Sequence, residues 1–140
     1  MRYLNCVADQ LQPEAEQPVQ YPGRRSALRN DDLPYFVQVG DKRHLVLPYA
    51  FDTNDMQFFH TNRFSGAADF AAYVIDAFDW LYCEGAHAPK MMSIGLHLRI
   101  IGRPGRIGAL NRSLRHIADR GDAWIARRVD IANHWLAQFP

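Results

Sequence analysis

At 140 residues the chain is long enough for one domain with a real core, and 48% hydrophobic with 22% charged residues is the balance of a globular protein. The 16 Lys and Arg against 15 Asp and Glu leave a net charge of +1, which offers no basic field for nucleic acid or an anionic membrane and no acidic tail. No run approaches the ~20 apolar residues of a membrane span, and Asp9 and Gln10 cut the apolar start too short for a secretory segment, so a cytoplasmic protein is expected.

Residues 1–29 carry Pro13, Pro18 and Pro22, a polar run from Gln10 to Gln20 and the pair Arg24-Arg25. Neither a helical nor a strand period persists there, so this stretch reads as a divergent leader or linker and residues 30–140 as the domain. Regular patterning begins at residue 44. His44-Leu45-Val46-Leu47-Pro48-Tyr49 is an apolar run stopped by proline and predicts a buried strand over 44–49. Residues 66–84 follow with Phe70, Val74, Ala77, Phe78 and Leu81 at helical spacing, Ser65 or Gly66 to start the helix and Gly85 to stop it.

Met91-Met92-Ser93-Ile94-Gly95-Leu96 predicts the second strand. Pro104 suits the first turn of a helix with the stripe Ile107, Leu110, Leu114 and Ile117, ended by Gly121. Ala123-Trp124-Ile125-Ala126 predicts a third strand, and residues 129–138 a last helix with Ile131, Trp135 and Leu136 on one face. Strands alternating with helices predict an α/β fold whose three strands lie parallel. Three parallel strands leave edges and a face uncovered, and a closed barrel needs more strands than this chain offers. A fragment, or part of an obligate assembly, is therefore expected.

Function in parallel α/β folds collects where strands end. Here those ends carry Asp52-Thr53-Asn54-Asp55, then His97 with Arg99, then Arg127, Arg128 and Asp130. His97 ends an apolar strand, and its imidazole suits a general acid or base near neutral pH. A structural histidine bonded to a loop carbonyl is the other reading, and the two stand level. Asp52, Asn54 and Asp55 suit substrate binding or orientation of His97, or else an Asx-type turn. Arg99 and Arg103 suit a polar substrate or pairing with nearby carboxylates. The loop Gly102-Arg103-Pro104-Gly105 matches no nucleotide-binding fingerprint and reads as a tight connection. His44, His60, His87, His116 and His134 form no metal-type pair, and Cys6 and Cys83 have neither a disulfide framework nor zinc spacing.

Several longer words occur in a fixed order. They are Asn30-Asp31-Asp32-Leu33-Pro34-Tyr35, Leu47-Pro48-Tyr49 with Asp52-Thr53-Asn54-Asp55-Met56, and Ala77-Phe78-Asp79 with Leu81-Tyr82. Ala88-Pro89-Lys90-Met91, Ser93-Ile94-Gly95-Leu96-His97, Gly102-Arg103-Pro104, and Arg127-Arg128-Val129-Asp130-Ile131-Ala132 with His134-Trp135 follow. From Asn30 to Pro140 this order resembles the bacterial allantoinases of the polysaccharide deacetylase (NodB-homology) superfamily. The resemblance implies the C-terminal portion of a distorted seven-stranded βα barrel that hydrolyses non-peptide C–N bonds, such as allantoin to allantoate in purine breakdown. It also implies that His97 falls on the catalytic-acid histidine of the family's leucine–histidine motif.

The allantoinase branch is thought to work without the metal that its relatives hold with one aspartate and two histidines, so neither a metal nor another cofactor is expected. The family's early aspartate motif and its His-x-x-x-His motif have no counterpart in this chain. Residues 24–29, Arg-Arg-Ser-Ala-Leu-Arg, stand where the family has a strand leading into an Asp-Ser-Asp word. The resulting expectation is a truncated enzyme, inactive alone, acting on a small cyclic ureide or N-acetylated substrate. Its partner would be a missing N-terminal barrel half or further copies in a homo-oligomer. The alternatives are a non-catalytic, self-associating interaction module and a subunit completing a split deacetylase that acts on N-acetyl sugars.

Overall fold

Met91–Leu96 is apolar on both faces, as a parallel strand covered on both faces must be. In the structure, a computed structural model describing residues 2–8, 33–61 and 64–140, it forms the wholly buried strand β4. The other strands are β1 (Arg2–Ala8), β2 (Tyr35–Val39), β3 (Lys42–Val46) and β5 (Ala123–Ala126). One sheet runs β4-β1-β5, with Tyr3 to Ala8 opposite Met91 to Leu96 and Arg2 to Asn5 opposite Ala123 to Ala126, both pairs parallel.

Two expectations need correction. The stretch read as leader or linker contributes β1, which pairs with both β4 and β5. A single seven-residue run carries too little period to be told from a linker, and backbone pairing rather than patterning defines it. Residues 9–29 lie outside the described residues. The strand expected over 44–49 is instead β3 and pairs antiparallel with β2, from Tyr35 opposite Val46 to Val39 opposite Lys42. The two-residue loop Gly40-Asp41, with Gly40 at φ +57°, closes this hairpin. Pro48 follows too soon for the ladder to continue.

The helices are α1 (Ala67–Glu84), α2 (Leu98–Ile101), α3 (Pro104–Ala118) and α4 (Arg128–Gln138). The Asp69 carboxylate accepts the backbone N–H groups of Ser65 and Gly66 at 2.8 and 2.9 Å, so α1 starts where the sequence stops being loop-like. Gly85 is its C-cap. Phe70, Val74 and Phe78 of α1 pack with Met92, Ile94 and Leu96 of β4 and Ile117 of α3 in the main core. Burying each such side chain stabilises by about 1.5–3 kcal/mol. A smaller cluster of Met91, Ala126 and Ile131, with Leu33, Leu47 and Trp124 beside it, takes the opposite phase of β4.

The face that α3 buries differs from the expected stripe. Ala109, Ser113 and Ile117 are buried while Ile107 is 45% exposed. Small residues at 109 and 113 let α3 lie close to α1, and Ser113 satisfies its hydroxyl on the Ala109 carbonyl. Close to this contact, Asp79 of α1 pairs with His116 and Arg120, each at 2.8 Å, and Tyr82 donates to Asp122 at 2.8 Å. Among the described residues no helix is long and apolar enough to cross a membrane.

Candidate active site

β4 runs out at Leu96, and the next residue, His97, is the N-cap of α2. The segment that leaves β3 crosses the edge of β4 that does not pair with β1 and ends in a short 3-10 helix, Asp55–Phe59. Three polar contacts hold it there. The Ser93 hydroxyl donates to the Pro48 carbonyl at 3.2 Å, the Thr53 hydroxyl donates to the Ser93 carbonyl, and Gly95 N–H donates to the Thr53 carbonyl at 3.2 Å. Asn54 then forms a parallel bridge with Gly95.

Asn54 is 3% exposed, and its neighbours engage both the oxygen and the nitrogen of its amide. Its side-chain oxygen accepts Met56 N–H at 2.8 Å and caps the 3-10 helix, while its amide donates to the Tyr49 hydroxyl. Position 95 must be glycine for this to fit. A Cβ there would sit 2.6 Å from the Tyr49 hydroxyl oxygen and 2.7 Å from Asn54 Cγ.

The result is to drive Asp55 inward. Its side chain is completely buried and meets three N–H donors: His97 backbone N–H at 2.7 Å, Ile101 backbone N–H at 3.2 Å and His97 Nδ1 at 2.6 Å. A carboxylate only accepts, so the bond assigns the Nδ1 proton to His97 and directs Nε2 away from Asp55. The imidazole is 24% exposed. A buried carboxylate fixing the tautomer of a solvent-reaching imidazole is an arrangement that can hold and deliver a proton.

The other expected site residues separate. Asn54 is a structural brace behind the dyad. Asp52 points outward and accepts the Tyr73 hydroxyl at 3.0 Å. Burial, reinforced by that bond, raises the Tyr73 phenol above its ordinary range. Arg99 lies exposed on α2, outside the dyad. Arg127 and Asp130 pair with each other at the start of α4, which raises the guanidinium's pKa and lowers the carboxyl's, each chiefly through their hydrogen bond. Arg128 instead donates to the carbonyls of Leu47 and Pro48. Ser93 and Tyr49 were not singled out as site residues, although both belong to the longer sequence words around the site.

A cavity of about 580 Å³ lies between Ala77, Trp80 and Leu81 of α1, the first half of β4 and the Tyr49–Thr53 segment. It sits at the opposite end of β4 from His97 and is not the place of the dyad. Among the described residues no group of three or more His, Cys, Asp or Glu side chains could hold a metal.

Comparison with known proteins gives a consistent picture. No protein-family model matches the chain. It is 43% identical over 121 residues to a Schizosaccharomyces pombe protein described as a polysaccharide deacetylase, covering 79% of this chain and 38% of that one. It is similar to the crystal structure of the Puue allantoinase, at 53% identity and a TM-score of 0.75, with 79% of this chain and 37% of that one covered. A Pseudomonas aeruginosa PAO1 structure described as a polysaccharide deacetylase gives 51% identity, the same TM-score of 0.75 and the same coverage. The chain thus spans a little over a third of the length of the relatives it matches.

Proposed function

We propose that this chain, similar over 79% of its length to polysaccharide deacetylase-like proteins, contributes the general acid to hydrolysis of a non-peptide C–N bond. The observation that carries this reading is the Asp55–His97 dyad, with Nδ1 held at 2.6 Å by a fully buried carboxylate. As water adds to the carbonyl carbon, its proton passes to His97 Nε2, and the imidazolium so formed delivers that proton to the leaving nitrogen as the C–N bond of the tetrahedral species breaks. Such proton transfer contributes roughly 10²–10⁴-fold to a rate. Asp55 sets the tautomer and stabilises the imidazolium that forms during the reaction.

The proposed substrate is a cyclic ureide of the allantoin type, supported by the similarity to an allantoinase structure. The proposed active form is a barrel completed by further structure, with the remainder of a deacetylase-like barrel as the partner. The exposed aromatic residues Tyr49, Phe51 and Trp80 around the cavity support that need for a cover.

The chain, alone and mixed with the complementary portion of a related allantoinase, is assayed for allantoate from allantoin and acetate from N-acetylated sugars. Allantoate from the mixture and neither product from the chain alone is the expected result. Acetate without allantoate would overturn the substrate class. Allantoate from the chain alone, lost in His97→Ala, would overturn the need for a partner.

A further inference from the structure

Arg127 and Arg128 stand side by side at the start of α4 and are used differently. Arg127 closes on Asp130 of its own helix and is largely exposed. Arg128 is half-buried and reaches out of α4, with one guanidinium nitrogen donating to the Leu47 carbonyl at 2.8 Å and the other to the Pro48 carbonyl at 3.3 Å. The Pro48 carbonyl accepts both this donor and the Ser93 hydroxyl. The β2–β3 ladder ends at Val46, so Leu47 and Pro48 have left their strand partners behind. A planar fork holds two successive carbonyls in a fixed geometry, which a flexible ammonium does not impose.

The residues so held begin the segment that ends at Asp55. Beyond Pro48 it is pinned by Thr53 on Ser93, by Asn54 on Gly95, and by Asp55 on the N–H groups of His97 and Ile101. Ser93 holds the Pro48 carbonyl from the β4 side while Arg128 holds it from the α4 side. We propose that Arg128 is a positioning residue for the Asp55–His97 dyad, anchoring the Leu47–Asp55 segment so that the carboxylate meets the imidazole in register. This rests on the reading of that dyad as the acid–base group. Arg128 donates to the backbone carbonyls of Leu47 and Pro48, so this action on the dyad runs through the backbone of the segment.

The test is amide hydrogen exchange by NMR on the whole chain, followed at His97, whose N–H donates to Asp55, and at Val74 and Ile117 in the main core. In Arg128→Met the His97 amide exchanges faster by about tenfold or more while Val74 and Ile117 keep their protection. Arg128→Lys, with one donor point in place of the fork, falls between that variant and the native chain. Unchanged His97 exchange in a folded Arg128→Met chain overturns the proposal, and so does an equal loss of protection at all three amides. Should Arg128→Met fail to fold, Arg128→Gln is judged by the same comparison. The measurement involves no turnover, so its failure is separate from failure of the acid–base reading, which only activity of His97 variants addresses.

Discussion

Replacing Asp55 by alanine removes the acceptor on which the site converges, and the structure allows the cost to be worked through. The carboxylate is completely buried and takes three donors. Ile101 N–H keeps a second acceptor, the His97 carbonyl at 3.0 Å, and the His97 ring can turn its Nδ1 toward water because it is 24% exposed. His97 backbone N–H loses the buried carboxylate that accepts it at the end of β4. Losing a charge-assisted bond to a buried donor, with a small void where the carboxylate stood, destabilises by about 2–4 kcal/mol. For a domain of this size that lowers the melting temperature by roughly 5–15 °C. Urea unfolding of native and Asp55→Ala chains, followed by Trp fluorescence, measures it. A difference below about 0.5 kcal/mol, the range of ordinary surface substitutions, would refute the idea that Asp55 organises this site.

Gly95→Ala puts a methyl group against the Tyr49 hydroxyl and the Asn54 amide, and is expected to cost about 1–3 kcal/mol in urea unfolding as those side chains shift; a neutral substitution would contradict the tight crossing. The Asp79 clasp predicts a pH dependence. Partial burial pulls the carboxyl up, but hydrogen bonds from His116 and Arg120 outweigh it and hold the pKa below the ordinary carboxylate value. A carboxyl depressed in the folded state stabilises above its unfolded value and loses that contribution as pH falls through its folded value. Asp79→Asn should therefore be less stable than the native chain near pH 7, with the gap closing by about pH 3 or below; a gap that widens in acid would contradict the assignment. The effect is small, because both Asp79 and Arg120 are 40% exposed.

Much of the scaffold was readable from residue order because its causes are local. Met91–Leu96 is apolar in both phases and runs straight into His97, so the strand and the residue it delivers could be placed together. Ala67–Glu84 carries its own stop signal and a clear apolar stripe. The hairpin and β1 were not readable, because what defines them is pairing between distant segments. Telling Asp55 from Asp52 was likewise a matter of register. The Asn54–Gly95 bridge turns Asp55 under α2, while Asp52, three residues earlier, faces Tyr73. On α3 the small residues Ala109 and Ser113, which a hydrophobic stripe undervalues, decided the buried face.

The most direct measurement grafts this chain's residues 33–140 in place of the matching segment of a related allantoinase and compares His97 with His97→Ala and His97→Gln. If the Asp55–His97 pair supplies the general acid, the graft forms allantoate and both variants lose roughly 10²–10⁴-fold in kcat, with KM far less affected. A folded, active graft whose kcat is indifferent to residue 97 would contradict the assignment of the acid to this dyad.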